Sequence, residues 1–112
     1  MTTGSGAEEM RVHADGVILT VSGRLTMNDL PSLQARLAQA LASCRPPRLV
    51  VDVGELESID SFCLSALMGA ERQARESGGG VVIAGATDLL RAALVRRGLD
   101  KVFTFRPGPA VD

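Results

Sequence analysis

The sequence predicts an α/β domain built on a mixed, mostly parallel β-sheet of four to five strands with covering α-helices. Three observations point there. Short β-branched runs alternate along the chain with apolar residues spaced by three and four, the periods of a strand and of one helix face. Turn and cap residues fall between the two kinds of segment, and such alternation builds a parallel sheet with helices packed on it. The 112 residues, 46% of them hydrophobic, suit a single core that needs neither disulfide nor metal.

Taken in order, residues 1–9 are small and polar and read as a disordered start; the domain runs over 10–106, and 107–112 form a tail. Residues 10–13 read as a short edge strand, Asp15-Gly16 as a hairpin turn and 17–21 as the returning strand. From Met27 the apolar positions Leu30, Leu33, Leu37, Ala40, Leu41 and Cys44 form one helix face. Asn28 is the expected N-cap, Asp29 the first-turn acid, and Pro46-Pro47 the stop. The run 48–53 has the composition of a buried parallel strand, and 54–60 reads as a turn.

A second helix is expected over 61–77, with Cys63, Leu67, Ala70 and Ala74 on one stripe and Leu64 and Met68 beside it. Gly78, Gly79 and Gly80 close it, and 81–84 is another short strand. Thr87 and Asp88 begin a third helix through Leu89, Leu90, Ala93 and Leu94 to Gly98, and 102–105 is the last strand before Pro107.

The balance of 12 basic and 13 acidic residues argues against a protein that grips nucleic acid, and three Phe without Trp or Tyr leave few stacking platforms. No apolar run approaches the ~20 residues that cross a bilayer. The N-terminus lacks the pattern of a secretory signal, so a cytoplasmic location is expected and no membrane insertion. Cys44 and Cys63 form no CxxC and lie far from the single His13, which gives no zinc signature; both read as core thiols. The glycine run follows a helix and precedes a strand, the reverse of a phosphate loop, and no GxGxxG or GxxxxGK[ST] occurs, so no cofactor is expected. The acids and lysine of a response-regulator receiver are also missing. Charge is uneven: Asp52, Glu55, Glu57 and Asp60 sum to −4, while 88–106 carries five basic residues against Asp88 and Asp100, +3.

The remaining place for function is the strand-to-helix junction Ile59-Asp60-Ser61-Phe62-Cys63-Leu64. Such junctions lie at the carboxyl ends of parallel strands, where sites form and where a helix start stabilises an anion. A plain N-cap at Asp60 or Ser61 fits the same spacing.

At this junction the sequence resembles the STAS domain of bacterial anti-sigma factor antagonists. That family carries Asp-Ser-Ser/Thr-Gly-Leu, and Asp60, Ser61 and Leu64 keep its Asp, first Ser and Leu. The likeness extends over about residues 10–106, through Ile18-Leu-Thr-Val-Ser-Gly-Arg-Leu25, Leu49-Val-Val-Asp-Val53, Gly79-Gly-Val-Val-Ile-Ala84 and the helix-Gly-Leu-strand close at 94–103. It implies a STAS-like fold and a non-enzymatic module that sequesters an anti-sigma factor, itself a serine kinase that binds the ATP. Ser61 is then the phospho-acceptor, a phosphatase its reversal, and the switch regulates transcription by partner switching. Asp60 and Thr26 flank the serine, with Phe62, Cys63 and Ser65 as the contact surface. Thr26 stands where the family often has an acid, Phe62 where it has a small hydroxyl residue and Cys63 where it prefers Gly. The alternative is a STAS accessory subunit of a lipid or anion transport system, bound to an ATPase subunit without phosphorylation. A weaker third reading, a hydrolase, would need His13 within reach of Ser61.

Overall fold

The structure, a computed structural model, describes residues 6–13 and 16–107, with side-chain surroundings from Gly16 onward. Five strands form one sheet in the order β1-β2-β3-β4-β5: β1 Gly6–His13, β2 Gly16–Leu25, β3 Arg48–Ile59, β4 Gly80–Ala84 and β5 Thr104–Arg106. The first pair is antiparallel and the other three are parallel. Between them run α1 Leu30–Ala42, α2 Ser61–Glu76 and α3 Asp88–Arg96. This is the predicted mixed sheet, in the predicted order.

Parallel pairing aligns the side chains in rows, so one face of the sheet is a continuous apolar layer of Val17, Leu19, Leu49, Val51, Val81 and Ile83. The helices bury it. Leu33 and Leu37 from α1, Cys63 and Leu67 from α2, and Leu90 and Leu94 from α3 join the same cluster. In the opposite row Ile18 is buried, Val50 and Val82 are half-buried and Thr104 is exposed, so β3 alternates in burial where its composition suggested burial on both faces.

The larger boundary differences from the sequence reading have physical reasons; β2, expected to end at Val21, runs on to Leu25 because β3 pairs with it that far. β1 starts at Gly6, not at residue 10, because β2 is long enough to template it: Gly6 pairs with Ser22. Asp15 of the expected hairpin turn lies outside the described residues. β3 does not turn at Gly54 but continues to Ile59, following β2 through two register shifts. The cap before α1 is Thr26, not Asn28: its hydroxyl accepts from the Asn28 N–H at 3.2 Å, and Asp29 reaches back to the Thr26 N–H at 2.9 Å, closing a capping box over a 3₁₀ turn, Met27–Asp29. The last strand begins at Thr104 because a second 3₁₀ turn, Leu99–Lys101, occupies the chain before it. Leu89, in the first turn of α3, is 82% exposed.

Gly79 is required where it stands, since a Cβ there would lie 1.6 Å from the Pro47 carbonyl oxygen. Thr87 caps α3 by accepting from the Leu90 N–H at 3.1 Å. Because Thr87 is exposed and makes no core contact, Thr87→Ala is expected to cost about 1 kcal/mol, read as a shifted urea midpoint at constant slope.

Candidate functional site

The ends of β2 and β3 are neighbours in the parallel sheet, Leu25 pairing with Ile59, so the two segments that leave them come together. Two hydrogen bonds tie them. The Asp60 N–H donates to the Leu25 carbonyl at 2.9 Å, and the Cys63 thiol donates to the Thr26 carbonyl at 3.2 Å. Asp60 is the N-cap of α2, its carboxylate accepting from the Cys63 N–H at 2.9 Å. Ser61 is thereby the first helical residue, exposed, on a backbone held from both sides.

Around Ser61 lie Thr26, exposed, and Asp60, half-buried. Phe62 is 55% exposed and does not fold back into the core, and Met27 across the junction is 59% exposed. Ser65, one turn further along α2, also faces solvent. Cys63 departs from the expectation. It is fully buried, because helical spacing places it with Leu67, Ala70 and Ala74, and so it cannot belong to the contact surface assigned to it. Its task is internal, bonding Thr26, which a glycine at that position could not do.

Sequence reasoning missed Asp29 and Met27 as members of the site. Asp29 had been read as a first-turn acid only; the Thr26-x-x-Asp29 spacing was the available signal, since a hydroxyl followed three residues later by an acid closes a capping box. With Asp29 and Asp60 both close enough to act on Cys63, acids flank the junction even though Thr26 is neutral.

Burial pushes the Cys63 thiol from its ordinary 9.0 up to about 11, with the Asp60 carboxylate and then Asp29 adding to the rise. Raising the folded value above the unfolded one favours the protonated thiol in the fold. The associated stability is whole below pH 9 and is lost as pH rises toward 11. Wild type is therefore expected to lose about 2–3 kcal/mol across that window and Cys63→Ala much less, measured by urea unfolding; at pH 8 the native Cys63 thiol should resist iodoacetamide.

His13 cannot serve Ser61. It pairs with Gly16 at the start of β2, nine residues before Leu25, which puts its backbone at the other end of the sheet, about 30 Å away. Among the described residues no three His, Cys, Asp or Glu side chains gather as metal ligands would. Among the same residues no helix is long and apolar enough to cross a membrane.

A protein-family model described as "Mlab, STAS domain" matches residues 9–106. The chain belongs to the STAS domain family. Solved structures share its fold. An anti-sigma factor antagonist (STAS) domain protein from Planctomyces limnophilus is 13% identical over 93% of this chain and 91% of its own, with a TM-score of 0.79. TM1081 from Thermotoga maritima is 19% identical over 87% and 83%, at 0.76. The Bacillus cell fate determinant SpoIIAA in its phosphorylated form is 15% identical over 88% and 89%, at 0.68, and the anti-sigma factor antagonist SpoIIAA in its unphosphorylated form also matches, at 0.64. The STAS family is one of non-enzymatic binding modules, and the surface of this STAS domain at the β2 and β3 ends carries an exposed hydroxyl, two exposed apolar side chains and two carboxylates.

Proposed function

We propose that this STAS domain is an anti-sigma factor antagonist: it binds an anti-sigma factor that is a serine kinase, and phosphorylation of Ser61 by that partner releases it. The observation that carries the reading is the placement of Ser61, exposed as the first residue of α2 behind the Asp60 cap. Its neighbours Phe62 and Met27 supply apolar area of the kind that anchors a protein interface. SpoIIAA supports it further, having this fold in both its phosphorylated and unphosphorylated forms.

The physical logic is separation of binding from folding. A phosphoryl group brings nearly two negative charges, and a helix N-terminus stabilises such charge by about 0.3–2 kcal/mol. The fold therefore persists. At an interface the same charge, beside Asp60 and Asp29, must lose its water with two carboxylates close by. A phosphatase would restore the free hydroxyl. The transport-subunit alternative is not favoured by the solved relatives.

The test is incubation with kinase-fold anti-sigma factors and ATP, followed by mass spectrometry of the peptide containing Ser61. One phosphoryl group on Ser61, absent from Ser61→Ala, is expected. No transfer to Ser61 from any partner that binds the domain would overturn the switch.

A further inference from the structure

Gly69 lies in the middle of α2, where glycine weakens a helix, yet a Cβ built on it meets nothing within 4 Å. No contact among the described residues calls for a bare backbone there. Gly69 forms the low point of a ridge between two grooves. On one side, a groove of about 390 Å³ runs between α1 and α2 past Phe62, Ala38 and Gln73. On the other, one of about 540 Å³ is bounded by Ser65, Met68, Arg72, Arg75 and Lys101.

The second groove is cationic. Ser61, Ser65, Met68, Arg72 and Arg75 recur at intervals of four and three, so they form one exposed stripe of α2 that starts at the switch serine and ends in two arginines. Lys101 joins them from the turn after α3. Among the described residues the only acid in the groove, Glu71, is buried and bound to Arg75, while Arg72 and Lys101 have no ion-pair partner. With Glu71 counted, the groove retains a charge of +2.

We infer that the partner's contact extends beyond Ser61 along α2, an acidic helix of the partner crossing at Gly69 with its carboxylates against Arg72, Arg75 and Lys101. Glycine lets the two backbones approach closely. The cations select acidic side chains. The inference rests on the proposed function for the identity of the partner as a protein, and its test is independent of the phosphorylation.

The probe is a synthetic 21-residue helical peptide of Glu, Ala and Leu, titrated into ¹⁵N-labelled protein. Shift changes are expected at Gly69, Arg72 and Lys101, weakened by added salt and lost in Gly69→Leu and in the Arg72→Glu/Lys101→Glu double variant. Ser61→Asp should bind the probe within about twofold of wild type, because Ser61 lies about 12 Å along the helix from Gly69, beyond the screening length. Gly69→Ala, tested without any ligand, should raise Tm by about 3–6 °C. The inference is overturned if the peptide leaves these resonances unmoved, if Gly69→Leu binds it as wild type does, if Ser61→Asp weakens it as much as Gly69→Leu, or if Gly69→Ala lowers Tm. Failure of kinase transfer to Ser61 with normal peptide binding would sink the switch and leave this surface standing.

Discussion

A Ser61→Asp variant is expected to lose about a hundredfold or more in affinity for the anti-sigma factor, by calorimetry, while unfolding at the wild-type temperature. Ser61→Ala should bind as wild type. A hundredfold corresponds to about 2.7 kcal/mol, and burying an added carboxylate beside Asp60 and Asp29 without a cation costs that much or more. Nothing comparable opposes the charge in the free domain. Ser61 is exposed and sits at the positive end of α2, so its own helix tolerates the substitution. Equal binding by the two variants would remove charge as the means of release. A large drop in Tm for Ser61→Asp would show that folding and binding are not separate.

Glu71→Ala should cost about 3 kcal/mol of stability, which in a domain this size lowers Tm by about 12–20 °C. Glu71 is 3% exposed, and its carboxylate accepts from the Val81 N–H and from the Arg75 guanidinium, each at 2.7 Å. The Val81 N–H needs this acceptor because the ladder between β4 and β5 begins only at Val82, so no strand covers the edge below it. Alanine leaves a buried amide hydrogen unsatisfied, frees the guanidinium that also reaches the Val102 carbonyl at 3.4 Å, and opens a void. Glu71→Gln keeps an acceptor for Val81 and should recover most of the loss. A Glu71→Ala protein as stable as wild type would remove the carboxylate from the account of how β4 is held.

The order of elements could be read from the sequence because the hydrophobic period changes cleanly from two to 3.6 at each boundary. Where the period is disturbed, the reading stopped short. In β3 Leu56 and Ile59 are three apart with Glu57 and Ser58 between, a spacing that imitates a turn although the strand continues through two register shifts. Glu71 sits four residues after Leu67, on the buried side of α2, and a carboxylate in that position was itself a sign of a buried partner. In the candidate site, Asp60, Ser61 and Phe62 were visible in one short run. Asp29 was not, because its closeness to Cys63 arises from the adjacency of two parallel strand ends, Leu25 and Ile59, which are 34 positions apart in the chain. Cys63 was misplaced for the opposite reason: Ser61 and Phe62 just before it are exposed while its own side chain faces inward.

The pair of hydrogen bonds from Asp60 to Leu25 and from Cys63 to Thr26 has a consequence for how such a face can diversify. Both bonds lock main-chain atoms at fixed separations, so inserting or deleting even one residue in either crossing would break the latch and displace Ser61. New specificities are then reached by repainting side chains on an unchanged frame, not by growing or trimming loops. A library meant to retarget this domain should hold both lengths constant and vary only the outward positions.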